Sequence, residues 1–186
     1  WGRAHAYACR AAEEGVVGLC TTNAIPNMLA PGAAQPVLGN NPLAIAAPRG
    51  RGFRPIVLDI AMSQAALGRV ATAQREGQPV PLTWGLGADG RPTSDPAAIL
   101  ASQGLLPMGG HKGAGLALML EILTAALGGG LLSHEVFAAD TSGLDAGGSK
   151  LFVAIDPGAF GERERFVSRV EDLAGYVSAG LGGPEA

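Results

Sequence analysis

The chain has 186 residues, of which 47% are hydrophobic and 16% charged, with a formal balance of −3. That is enough apolar material for one sizeable core, and too little positive charge for a phosphate-backbone partner, so a single domain is expected and nucleic acid is excluded as the main partner. The 29 glycines follow no period, which excludes collagen, and the two cysteines, Cys9 and Cys20, are too few for a disulfide framework. They are expected as free buried thiols of a protein kept in a reducing cytoplasm.

In chain order, residues 4–14 are alanine-dominated and stop at Gly15, which predicts a helix. "VVGLCTTN" follows as a short buried strand. "AIPNMLAPGAAQPVLGNNP" carries four prolines and three asparagines and predicts a loop, of a length that is often functional. "LAIAAP" and "PIVLDIA" are strands joined through "RGRGF". A helix is predicted from Met62 or Ser63 to about Arg75. "EGQPVPLTWGLGADGRPTSDP" is irregular, and "AAILAS" is a short helix begun by Asp95 and Pro96. A long apolar helix is predicted from about Lys112 to Leu127, ended by glycines. Glu121 and the glycine run argue against a membrane span there. "SKLFVAIDP" is a strand, and "ERERFVSRVEDLAGYVSAG" a closing helix with Phe166, Val170, Leu173 and Val177 on its inward face. Strands and helices mix without strict alternation, which predicts an α/β fold with a mixed sheet and flanking helices.

Nucleotide fingerprints are missing: no G-x-G-x-x-G follows a strand to open a helix, and there is no phosphate-loop motif. His5, His111 and His134 lack Cys or His partners at ligand spacing, so no metal site is expected. In "GGHKGAG", Gly109 and Gly110 permit close ligand approach, and the helix start beyond them attracts anions. Lys112 adds a full positive charge, and His111 a hydrogen-bond donor. The competing reading is a plain loop-to-helix junction with a solvated lysine. Asp59, at the end of an apolar run, suits a ligand contact or the cap of the next helix, and the residues alone favour the cap. Thr22, Asn23, Asn40 and Asn41 place amides and hydroxyls in loops, where they fix a carboxylate or shape turns. Trp84 walls a pocket or caps the core. Glu121 is read as the polar side of its helix rather than a buried, paired carboxylate, and His5 and His134 as structural. No proton donor stands beside a nucleophile or base.

The ordered segments "GLCTTNAIPN", "LGNNPLAIAAP", "PIVLDIAMSQAALGRV", "PLTWGLGADGRPTSDP" and "LLPMGGHKGAGLALMLEIL" resemble the type-2 malate/L-lactate dehydrogenase family. That family of NAD(P)-dependent oxidoreductases includes ureidoglycolate dehydrogenase, diketogulonate reductase and the piperidine-2-carboxylate/pyrroline-2-carboxylate reductases. The resemblance implies a non-Rossmann α/β fold, NAD or NADP as cofactor, a small 2-oxo or 2-hydroxy acid or cyclic imino acid as substrate, a homodimer and a cytoplasmic location, with no membrane partner. Carried over by motif, Asp59, Ile60 and Ala61, then Leu67 and Gly68, then His111 and Lys112 match cofactor-contacting positions. Gly2, Arg3 and Ala4 match a segment beside the cofactor that in the family directly follows a histidine. For the substrate, Asn40 stands where relatives often have a contacting threonine, Ala24 where several have serine, and Asn23 lies beside it. Arg69 stands where the imine-reductase branch has an aspartate, so hydroxy-acid and cyclic-imine chemistry both stay open.

Trp1 is not a methionine and a helix pattern begins at once, so residues 1–186 are expected to be a cofactor-binding portion of a longer chain. The family's N-terminal region with its general-acid histidine would lie outside it, leaving the catalytic residue unknown and this portion alone weak or inactive. "GGPEA" at the end is at best a remnant of the family's "PGE"-like segment. The alternative is a non-catalytic nucleotide-binding or subunit-interaction module derived from such an enzyme.

Overall fold

A computed structural model of the chain describes residues 2–139 and 147–180. The start at Trp1 and the closing "GGPEA" lie outside the described residues. The architecture is α/β, and the chain divides into two compact units. The first comprises Trp1–Cys20, Ala44–Asp59 and Phe152–Ala186, the second Thr21–Leu43 and Ile60–Leu151.

The first unit holds helices α1 (Ala4–Glu13) and α6 (Arg163–Gly180) and most of a four-stranded sheet. The sheet runs β3 (Ile56–Ile60), β2 (Leu43–Ala47), β1 (Val17–Thr22), β6 (Lys150–Ile155). Helix α1 buries Ala4, Ala8 and Ala12, spaced one turn apart, and they share a core with Cys20, Ala44 and Ala46. Such small side chains bring helix and strand close. A Cβ at Gly18 would lie 2.6 Å from the Ala8 carbonyl oxygen, so β1 needs its glycine there. The thiol of Cys20 donates to the Ala4 carbonyl at 3.1 Å.

The expected inward face of α6 is only half right. Phe166 and Val170 are half-buried, but Leu173 is 62% and Val177 51% exposed. The covered side is Phe166, Val167, Val170, Glu171 and Ala174. A charged pair rotates the helix. Glu171 accepts from Arg49 Nε at 3.0 Å, Arg49 Nη2 at 2.5 Å and the Gly50 amide at 3.1 Å. A scan for apolar periodicity has no means of placing Glu171 inward.

The second unit carries the long loop, α2 (Leu67–Arg75), the paired β4 (Gly85–Leu86) and β5 (Gly104–Leu105), α3 (Pro96–Ser102), α4 (His111–Glu121) and α5 (Ser133–Ala139). Its fully buried large side chains include Met28, Met62, Val70, Ile99 and Leu105. Asp95 caps α3 by accepting from the Ala97 amide at 2.9 Å, as its position before Pro96 predicts. Helix α4 passes into a π-helical turn over Ile122–Ala126, and Gly129 leaves the helix at φ +67°. Two expectations fail here. α2 begins at Leu67 rather than Met62 or Ser63, because Met62 and Gln64 donate to the Asn40 and Leu106 carbonyls and so cannot take up helical bonds. Helix α5 was not anticipated; seven residues are too few for a clear period. No helix among the described residues is long and apolar enough to cross a membrane.

Candidate functional site

The expected site residues fall in both units. In the first, Gly2 has φ +74° and leads into the extended Arg3, the N-cap residue of α1, whose side chain makes no capping bond. Arg3 is exposed and Ala4 buried. Asp59 Oδ2 accepts from the His5 amide at 3.1 Å and meets His5 Nδ1 at 2.9 Å. So Asp59 does cap a helix, but that helix is α1 rather than the following α2, whose N-cap is Ala66. An acceptor at the first turn satisfies an open N–H and offsets the dipole there. The pair ties Asp59 to the Gly2–Ala4 segment through His5, which has the structural role its sequence position suggests. Cys9 is half-buried and Cys20 buried, and burial pushes both thiols up, which makes them poor nucleophiles.

In the second unit, three sequence-distant segments are laced by backbone bonds. Met62 donates to the Asn40 carbonyl at 2.9 Å, Met108 donates to the Met62 carbonyl at 2.9 Å, and Gly113 donates to the Met108 carbonyl at 2.9 Å. Ser63 bridges Pro107, and Gln64 donates to the Leu106 carbonyl at 2.8 Å. The expected substrate position Asn40, the Met62–Gln64 stretch that directly follows the expected cofactor positions Ile60 and Ala61, and the entry to α4 with His111 and Lys112 therefore belong to one hydrogen-bonded frame. Gly113 closes it. A Cβ there would collide with the Met108 carbonyl oxygen and lie 2.7 Å from that of Met62. Leu67 and Gly68 open α2 in the same unit.

His111 and Gly110 line a cavity of about 480 Å³ with Gln64, Thr83, Leu106 and Pro107 among its other walls. That volume is in the range of small-molecule sites, roughly 300–1,000 Å³. Lys112 is exposed next to it in sequence and makes no ion pair among the described residues. The helix start is less open than expected. The Lys112 amide donates to the Gly109 carbonyl at 3.3 Å and the Gly113 amide to Met108, so side chains rather than open N–H groups must supply most of any anion affinity.

The loop residues separate by role. Asn23 is buried, its amide donating to the Leu131 carbonyl at 2.9 Å and accepting from the Ser149 amide at 2.7 Å. Each end of the amide thus carries one bond to the fold. Asn40 is half-buried. Its backbone N–H donates to Asn27 Oδ1 at 2.8 Å, and its Oδ1 accepts from Asn27 Nδ2 at 3.3 Å. Its Nδ2 makes no bond among the described residues. Ala24 is half-buried, and its N–H donates to Asn41 Oδ1 at 2.9 Å.

Glu121 corrects the sequence reading most sharply. It is 8% exposed and paired, accepting from the Ser133 amide and hydroxyl at 2.7 Å each and from Asn41 Nδ2 at 3.4 Å. Its partners lie 12 and 80 positions away, so no local pattern reveals them. Trp84 is half-buried beneath the Arg69 guanidinium, 5.2 Å from its ring centre. The letters G-x-G-x-x-G do occur at Gly85–Gly90, but they occupy β4 and a turn closed by the Gly90 amide on the Gly87 carbonyl, with no helix following. They are not a dinucleotide fingerprint.

A family model described as malate/L-lactate dehydrogenase matches residues 1–181, so the chain belongs to that family. A Delta(1)-pyrroline-2-carboxylate/Delta(1)-piperideine-2-carboxylate reductase from Pseudomonas putida is 44% identical over 172 residues, 90% of this chain and 49% of the relative. A (2R)-3-sulfolactate dehydrogenase (NADP(+)) from Chromohalobacter salexigens is 42% identical over 167 residues, 87% of this chain and 48% of the relative. Among solved structures, delta1-piperideine-2-carboxylate reductase from Pseudomonas syringae pv. tomato superposes with a TM-score of 0.86 at 39% identity, covering 96% of this chain and 53% of that one. The chain spans about half the length of the curated relatives it matches.

Proposed function

We propose that these residues form the dinucleotide-holding part of an oxidoreductase. It acts between NAD(H) or NADP(H) and a small acid whose C2 carries a carboxylate beside C=O, CH–OH or a cyclic C=N. The observation that carries this is the frame in the second unit, which hydrogen-bonds the Asn40 loop, the Met62–Gln64 stretch after Ile60 and Ala61, and the α4 entry into one body beside a cavity. The names of the relatives support it: reductases of cyclic imino acids and a sulfolactate dehydrogenase share a C2 carbon between two oxidation states.

The residues fit a dinucleotide in kind. His111 and Lys112 offer a donor and a fixed charge for its phosphate groups. The cavity walls, Leu106, Pro107, Gln64 and Thr83, pair apolar faces with a few polar atoms, as a nucleotide half requires. Gly68 leaves the α2 entry without a side chain in open space. The binding is non-Rossmann, because no glycine turn opens a helix after a strand. When bound, the dinucleotide supplies or accepts the hydride. Asn40 Nδ2 donates to the substrate carboxylate. Asp59, Arg3 and Ala4, in the first unit, match cofactor-contacting positions of the family by motif. Residues 1–186 bind and orient, and we assign the proton donor to a residue outside them. In the full-length protein the enzyme is a homodimer.

The test is steady-state reduction of a panel of 2-oxo acids and cyclic imino acids by the full-length protein, with NADH and NADPH in parallel. Turnover of at least one panel member is expected. Dinucleotide binding without turnover of any would favour a non-catalytic module, and absence of binding would refute both.

A further inference from the structure

Glu121 and Asn41 are costly residues that the proposed binding site does not use. Glu121 buries a carboxylate at the end of the apolar stretch of α4, and Asn41 is fully buried at φ +21°, a backbone region that side-chain-bearing residues seldom adopt. Helix α4 widens into its π turn immediately after Glu121, an irregularity that clusters at functional places. Gly39 makes room for the arrangement, since a Cβ there would collide with Asn41 Oδ1 and the Ala24 carbonyl oxygen. Replacing such a buried polar set by apolar residues is often neutral or stabilising, so its retention asks for a use other than stability.

The bonds form a line. Ser133 gives its amide and hydroxyl to Glu121, and Glu121 Oε2 lies 3.4 Å from Asn41 Nδ2. The same Nδ2 donates to the Ala117 carbonyl at 2.8 Å, one turn earlier on α4. Asn41 Oδ1 then accepts from the Ala24 amide at 2.9 Å. The carboxylate and the Ala117 carbonyl thus together set which way the Asn41 amide points, and Asn41 holds Ala24 and its own neighbour Asn40 against the helix that begins with His111.

We propose that Glu121 and Asn41 are positioning residues that set the Ala24–Asn40 substrate loop on the dinucleotide-binding helix. This rests on the function proposed above. Without the carboxylate, Asn41 Nδ2 keeps only the Ala117 carbonyl as acceptor, the amide is held less tightly, and Asn40 Nδ2 meets the substrate carboxylate over a wider range of positions. The dinucleotide contacts at His111 and Lys112 lie two to three turns away on α4 and are untouched.

The experiment compares full-length parent, Glu121→Gln and Glu121→Ala in three readouts: dinucleotide Kd by fluorescence, KM and kcat for the best oxo or imino acid, and hydrogen exchange at the Ala24 amide. Glu121→Ala is expected to raise the acid KM about tenfold, because sub-ångström placement errors are expensive, and to leave Kd within about twofold. Ala24 exchanges faster. Glu121→Gln keeps an acceptor for the Ser133 amide but sets an N–H against the Asn41 donor. It should show a smaller rise of the same kind and carries the test should the alanine variant fail to fold. Equal losses of Kd and KM in step with melting temperature would overturn the positioning role and leave a structural one. Unchanged Ala24 exchange would overturn the line of bonds itself. A parent that binds no dinucleotide would defeat the proposed function and the positioning role together, whereas Ala24 protection lost in Glu121→Ala would then still establish the clamp.

Discussion

Lys112 is the residue on which the binding proposal leans most, since the first-turn amides of α4 are largely paired within their own turn. Lys112→Ala is predicted to weaken dinucleotide affinity about tenfold or more, the size of a charge-assisted hydrogen bond, and to steepen less with salt. Its melting temperature should stay that of the parent, because the side chain is exposed. Calorimetric titration at two ionic strengths checks both halves. At this scale the sequence was readable where chemistry is carried by motif, as in "GGHKG" and Asp95. It was misleading where a partner is remote. Asp59 looked like the cap of the next helix, yet its donor is His5, 54 positions earlier. Asn23, left open between a ligand contact and a turn former, bonds Leu131 and Ser149, more than 100 positions later.

Among the elements, α4 depends on Gly113 as much as on its apolar side chains. Gly113→Ala would press a methyl into the Met108 and Met62 carbonyls, and overpacking of that kind costs about 3 kcal/mol. Urea unfolding of parent and variant measures it. α6 supplies a pH-dependent contribution. The hydrogen bond from Arg49, then that from the Gly50 amide, holds the Glu171 carboxyl below the usual range. The Gly158 amide, followed by Arg163, does the same for Asp156. Both groups therefore stabilise the fold fully above their unfolded values, about 4.3 and 3.9, and lose that contribution as pH falls through the lower folded values. Thermal melts between neutral pH and pH 3 should show a steeper acid loss in the parent than in Glu171→Gln, whose melting is lower at neutral pH. Helix and strand existence followed from periodicity and stop residues in most elements. The start of α2 did not, because tertiary bonds to Asn40 and Leu106 keep Met62–Gln64 out of the helix. The inward side of α6 did not either, because a half-buried ion pair takes the place of apolar residues there.

For the whole molecule, apolar side chains remain exposed on several elements, including Ile56, Val57 and Leu58 on β3, Leu118 and Met119 on α4 and Tyr176 on α6. Apolar exposure on this scale marks interaction surfaces. With the homodimer proposed above, sedimentation of the full-length protein should show twice the protomer mass, and a monomer at micromolar concentration would remove that part of the account. The family and the segment order were readable from five motifs. The two-unit division was not, since both units draw on segments from distant parts of the chain. The central claim is that these residues hold a nicotinamide dinucleotide at the α4 entry. Titration of NADH and NADPH against residues 1–186, parent beside Lys112→Ala, tests it most directly. Saturable binding of at least one form, weakened in the variant at unchanged melting temperature, is predicted. Binding of neither form by a folded chain, or equal binding by parent and variant, would contradict it.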